Sequence, residues 1–129
     1  MLALLATARS LEARLEEALG NVGLSLAWYG VLGHLVQARE PLTLSELATR
    51  ISCVRSNVTQ LVDRLEAEGL VKREDDRDDR RIIRASLTPQ GRERHRAGEK
   101  QLALVQATFA ASLSEADHNA LAQVLTALK

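Results

Sequence analysis

Apolar residues recur along most of the chain at spacings of three and four, the period of a helix that buries one face. Leu4, Leu5, Ala8, Leu11, Leu15, Ala18 and Leu19 predict a first helix over residues 1–20, with Arg9, Glu12, Arg14, Glu16 and Glu17 on its wet side and Gly20-Asn21 as a stop. Ser25 is placed to cap a second helix running to about Gln37, with Leu26, Tyr29, Leu32, Leu35 and Val36 as its apolar face. Arg39-Glu40-Pro41 breaks the pattern, and Pro41-Leu42 is suited to a short strand. Thr43 and Glu46 have the spacing of a capping box for a third helix with Leu44, Leu47, Ala48 and Ile51 inward.

A fourth helix follows, in which Val54, Val58, Leu61, Val62 and Leu65 share one face. Arg55, Ser56, Asn57, Thr59, Gln60, Asp63 and Arg64 share the other. Ser52 and Ser56 are both candidates for its cap, and Gly69 is placed to end it in the left-handed conformation. The period then drops to two. Leu70–Glu74 and Ile82–Leu87 read as strands, with Ile83, Ala85 and Leu87 alternating against Ile82, Arg84 and Ser86 across the charged loop Asp75–Arg81. Thr88 caps and Pro89 opens a long helix to about Ser112, basic in its first half (Arg92, Arg94, His95, Arg96, Lys100) and apolar in its second (Leu102, Val105, Phe109, Ala110, Leu113). Ser114 caps a last helix, Glu115 to Lys129, with Leu121, Val124, Leu125 and Leu128 as its seam.

Two short helices followed by a charged hairpin are the order of a winged helix-turn-helix. The expected fold is therefore mainly α with a small β-hairpin wing, an α+β arrangement in one domain. Residues 24–97 would form the winged lobe, and residues 1–23 and 98–129 would form dimerisation helices. The terminal helices carry more apolar surface than one small lobe can cover, which argues for a two-fold pair of subunits.

Composition changes this picture only at a few points. The 129 residues are 46% hydrophobic and 26% charged, ordinary for a globular domain, while a 2% aromatic content implies a core of Leu, Val and Ala. No run approaches the roughly 18 to 20 apolar residues of a membrane span, and a basic-then-apolar leader is missing, so the expected location is the cytoplasm. A single cysteine, Cys53, excludes an internal disulfide framework. The formal net charge is zero, so any attraction to nucleic acid has to be local.

The outward face of the fourth helix has the chemistry for such a local site. Paired amides suit adenine edges, arginine suits guanine, and hydroxyls reach phosphates or either base, so Arg55, Ser56, Asn57, Thr59, Gln60 and Arg64 are candidate DNA-reading residues for a helix in a major groove. An ordinary wet helix face is the alternative. The loop, with four aspartates and three arginines, argues against phosphate binding by simple charge counting. A geometric answer is that aspartates make the tight turn through backbone N–H groups while Asp79 holds Arg81 extended, ready for the deep negative potential of a narrow minor groove.

Several fragments, in order and in register, resemble the multiple-antibiotic-resistance regulator (MarR) family: Leu42-Thr43-Leu44-Ser45-Glu46-Leu47-Ala48, Val62-Asp63-Arg64-Leu65-Glu66, Gly69-Leu70-Val71, Asp79-Arg80-Arg81 and Leu87-Thr88-Pro89-Gln90-Gly91-Arg92. Where the family usually has a hydroxyl residue at the start of the reading helix, this chain has Val54. The resemblance implies that Arg81 is the residue inserted in the minor groove, with Arg80 and Arg77 nearer the backbone, and that the terminal helices pack on those of a second subunit. It also implies a small-ligand pocket, phenolic or otherwise apolar, between the dimer helices and the lobe, for which Trp28, Tyr29 and His34 are candidates. The structural alternative for Trp28 and Tyr29 is one core and one half-exposed ring.

Catalytic signals are few. His34, His95 and His118 lie on separate predicted helices without metal-ligand spacing to one another or to Cys53, and a glycine-rich phosphate loop and a nucleophile elbow are both missing. The expectation is a non-enzymatic homodimer without cofactor or metal, binding a near-palindromic double-stranded operator as a ligand-released repressor. Two alternatives stay open: a thiol sensor acting through Cys53 beside the start of the reading helix, and a winged protein-interaction module without DNA binding. The peroxide-sensing branch of the family carries its cysteine near the start of the chain, where residues 1–20 have none.

Overall fold

The computed structural model describes residues 1–52 and 55–128. Cys53 and Val54 lie outside the described residues, and with them the thiol reading and the inward position expected of Val54. The elements, in chain order, are α1 (Leu2–Gly20), α2 (Leu26–Ala38), β1 (Leu42–Thr43), α3 (Leu44–Arg50), α4 (Arg55–Ala67), β2 (Val71–Asp75), β3 (Ile83–Leu87), α5 (Pro89–Ala111) and α6 (Glu115–Ala127). The protein is mostly helical with one small antiparallel sheet of order β1-β3-β2, whose β2 and β3 lie where the period of the sequence drops from 3.6 to 2. None of the described helices is long and apolar enough to cross a membrane.

The caps behave as their side chains dictate. Ser25 Oγ accepts from the Trp28 N–H at 3.1 Å, and Thr43 and Glu46 complete a reciprocal box at 3.0 and 3.1 Å. Ser114 and Asp117 form a second box at the start of α6. Ser56 lies in the first turn of α4 and not at its cap, because the helix starts at Arg55. The left-handed residue after α1 is Gly23, with φ of +72°, while Asn21 stays right-handed. Arg39 takes the same left-handed geometry at the end of α2, at φ +58°.

The core is one aliphatic cluster in which α2 is central, packed against α1, α3, α4, α5 and β3. That placement explains why Val31, absent from the apolar face expected for α2, is fully buried beside Leu32 and Leu35: neighbours on two sides widen the covered arc. Trp28 and Tyr29 are both half-buried against this cluster, so neither ring is fully core. From α4 come Val58, Val62 and Leu65, all at 0% exposure, closed by Leu44, Leu47, Leu70 and Val71.

α5 enters on a tight junction. Thr88 Oγ1 donates to the Gly69 carbonyl at 2.7 Å and accepts from the Gly91 N–H at 2.9 Å. A Cβ on Gly91 would lie 2.0 Å from the Leu70 carbonyl oxygen, a backbone atom that already receives the Thr88 N–H. Further along α5, Gly98 brings the helix against Leu19, Leu24 and Tyr29.

The ends of the chain are different. Residues 1–10 are exposed, and every described residue of α6 is exposed, although both helices carry apolar seams. Leu4, Leu5, Leu104, Val124, Leu125 and Leu128 are each about half exposed or more.

Gly91→Ala gains the higher helix propensity of alanine, worth about 1 kcal/mol, but the collision with backbone outweighs it. The expected result is a net loss on the order of 1–3 kcal/mol, measured as a lower urea midpoint at unchanged slope. Unaltered stability would mean that the α5 entry can shift to make room.

Candidate nucleic-acid interface

Because α4 buries Val58, Val62 and Leu65, its period leaves Arg55, Ser56, Asn57, Gln60 and Arg64 exposed together, with Thr59 half-buried at the margin. Arg55 is held: its Nη1 donates to Ser45 Oγ of α3 at 2.9 Å, bridging the two helices. Thr59 Oγ1 donates back to the Arg55 carbonyl at 3.0 Å, which leaves its lone pairs for an incoming donor. Arg64 sits in the last turn, where a cation complements the helix dipole.

Asp63 belongs to the same face by sequence but not by pairing. Its carboxylate bonds the Arg73 guanidinium of β2. Glu66, one turn on, accepts from Arg73 Nε at 3.2 Å and from the Arg73 backbone N–H at 2.8 Å. Those bonds, the backbone one first, hold the Glu66 carboxyl below the usual carboxylate range against a smaller opposing effect of burial. The backbone contact also covers an N–H of an edge strand.

In the wing, Asp76 does the turn-making. Its Oδ2 accepts from the Asp78 and Asp79 N–H groups at 3.2 and 3.3 Å, and its Oδ1 takes Arg84 Nε at 3.0 Å. Asp79 faces Arg81, accepting from its backbone N–H at 3.0 Å, its Nε at 3.1 Å and its Nη2 at 3.2 Å. The Arg84 and Arg81 side-chain bonds are the leading causes that depress the Asp76 and Asp79 carboxyls, so both stay charged at neutral pH. The Arg81 side chain is 90% exposed. Arg77 and Arg80 are exposed on the same loop.

The three ligand-pocket candidates separate. Tyr29 and His34 line one open cleft of roughly 330 Å³ between α2 and α5, together with Gln37, His95 and Glu99, whereas Trp28 is not among its lining residues. The Tyr29 and His95 rings stack at 4.8 Å and 5°. Burial lowers the His95 pKa and raises that of Tyr29, so both rings are neutral at pH 7. Among the described residues no group of three His, Cys, Asp or Glu side chains could hold a metal ion.

Sequence reading missed Arg73, Glu66, Asp76 and Arg84 as parts of this surface, and His95 and Glu99 as parts of the cleft. A signal for Arg73 existed. Alternation puts it on the face of Val71, and an arginine on the core side of a strand requires a carboxylate nearby.

A family model described as MarR family matches residues 22–82. The HTH-type transcriptional regulator PrsX of Escherichia coli is 37% identical over 84 residues, which is 64% of this chain and 51% of that protein. The chain thus spans about half the length of the first curated relatives it matches. An uncharacterised HTH-type transcriptional regulator of Bacillus cereus is 32% identical over 112 residues, 86% of this chain and 74% of the relative. Among solved structures, AbsC, a MarR family transcriptional regulator from Streptomyces coelicolor, superposes with a TM-score of 0.84 at 30% identity, covering 98% of this chain and 86% of that one. With a winged helix-turn-helix of this geometry and relatives that share its sequence over most of their length, the chain belongs to the MarR family of transcriptional regulators.

Proposed function

We propose that this protein is a homodimeric, sequence-specific DNA-binding repressor, released from a near-palindromic double-stranded operator by a small ligand. The observations that carry the reading are the exposed polar side of α4 and the Arg81 guanidinium, which Asp79 grips at three points while 90% of the Arg81 side chain stays in solvent. A side chain held extended in water pays its ordering cost before binding.

α4 enters a major groove. Arg55, Ser56, Asn57, Thr59, Gln60 and Arg64 meet base edges and phosphates there, while Arg81 enters the adjoining minor groove and Arg77 and Arg80 meet the backbone. Residues 1–23 and 98–129 supply the dimer contact, a role supported by the exposed apolar residues Leu4 and Leu5 at the start of α1 and by the bare seam of α6. Two subunits then set their reading helices roughly 34–36 Å apart, one turn of duplex. A phenolic or other apolar ligand in the α2–α5 cleft contacts Tyr29 and His34 and acts by preferring a subunit spacing that mismatches the half-sites.

The test is selection of sheared genomic fragments by the purified protein, followed by gel-shift titration of those recovered. A recovered inverted repeat, bound saturably and more weakly as salt rises, is the expected outcome, because displaced counterions oppose binding. Indifference to every duplex would favour the protein-interaction alternative. On the recovered fragment, Arg81→Ala weakens binding about tenfold while leaving thermal unfolding unchanged. Asn57→Ala and Gln60→Ala alter base preference by about 1–3 kcal/mol at the positions they read and leave the salt slope alone. Light scattering should give twice the mass of one chain, and Leu125→Glu, at the centre of the bare α6 seam, should halve it and abolish tight operator binding.

A further inference from the structure

We infer that Arg73 is the positioning residue of the DNA-reading surface: it locks the wing to α4 and cancels the charge of Asp63, the acidic side chain on that helix's outward face. The inference rests on the DNA-binding reading above and assigns a part of that surface that does not itself touch DNA.

The geometry is a three-point lock. Asp63 and Glu66 stand three residues apart on α4, so their carboxylates project from neighbouring turns on one side. The single guanidinium of Arg73 reaches both, with Nη1 on Asp63 and Nε and Nη2 on Glu66 at 3.2 and 3.1 Å. The Arg73 backbone N–H adds a fourth bond, to Glu66 at 2.8 Å. Arg73 is the Cα partner of Ala85, which is fully buried at the centre of β3, so the lock is anchored on the core side of the sheet. Residue 73 lies at the middle of β2, three positions before the loop that begins at Asp76, and rotation of β2 about α4 would carry the Arg81 tip with it. A planar fork resists that rotation, whereas a lysine ammonium is a point charge and resists it poorly.

The second role is electrostatic. Asp63 lies one turn from Thr59 and Gln60, where an unpaired carboxylate would repel phosphate and discourage a guanine-seeking arginine beside it. Arg73 brings a positive charge to that spot from behind, without occupying the groove.

The test uses the whole protein and a duplex that the wild type selects from sheared genomic DNA. Arg73→Met should bind this duplex about tenfold more weakly, with a deficit that shrinks as salt is raised. Adding Asp63→Asn to Arg73→Met should recover at least about threefold, since the repelling charge is gone, and Arg73→Lys should fall between Arg73→Met and wild type. Thermal unfolding of each variant is measured alongside, because recovery of affinity without recovery of stability separates charge masking from simple loss of fold. Wild-type affinity in Arg73→Met, or a double variant no tighter than Arg73→Met, would overturn the inference while leaving the DNA-binding reading intact. Failure of the wild type to select any duplex would overturn both, and is seen before any variant is made.

Discussion

Burial of one stripe of α4 is the constraint from which the rest of the surface follows. Val58, Val62 and Leu65 are fully enclosed by Leu44, Leu47, Leu70 and Val71. A helix that turns by 3.6 residues has no freedom to choose its outward side once that stripe is committed. Asn57, Gln60 and Arg64 face water because their neighbours cannot. α3 and β2, the elements that cover the stripe, also carry Ser45 and Arg73, so the groups that orient the outward face arrive with the core.

The wing shows how an acid-rich loop can present a cation. Asp76 spends its oxygens on two backbone N–H groups and on Arg84, and Asp79 spends its own on Arg81. These carboxylates are consumed inside the hairpin, at solvent-screened sites where each pair contributes little to stability but fixes direction. The formal neutrality of the chain therefore says little about its field at the tip. What matters is that Asp76 and Asp79 are engaged by hydrogen bonds within the hairpin while the Arg81 side chain stays exposed.

The terminal helices and the lobe meet through α5, which starts on the Leu70 carbonyl at Gly91 and crosses Leu19, Leu24 and Tyr29 at Gly98. At Gly91 the approach leaves no room for a Cβ against backbone, and at Gly98 an added Cβ would press on the Leu24, Tyr29 and Leu19 side chains, so α5 is closely packed on both partners. The α2–α5 cleft containing Tyr29, His34, His95 and Glu99 lies along this connection. The N-terminal half of α1 and the whole of α6 expose their seams because a single chain has nothing left to lay on them.

Periodicity, caps and turn chemistry were enough to read the order of elements, the polar outward face of the fourth helix, the wing and the pairing of Asp79 with Arg81, because each depends on residues within a few positions of one another. Ser25, Thr43, Thr88 and Ser114 cap where their side chains can reach an orphan N–H, and Gly69 turns where only φ above zero ends the helix. The fold was decided at that level. What the tertiary structure alone decided are the meetings of distant side chains: Arg73 with Asp63 and Glu66, Arg55 with Ser45, Tyr29 with His95, and the enclosure of Val31 on two sides. Spacing along a chain carries no information about which carboxylate a strand arginine will find across a helix. That choice is made when the apolar stripes close and set the distance and angle between elements.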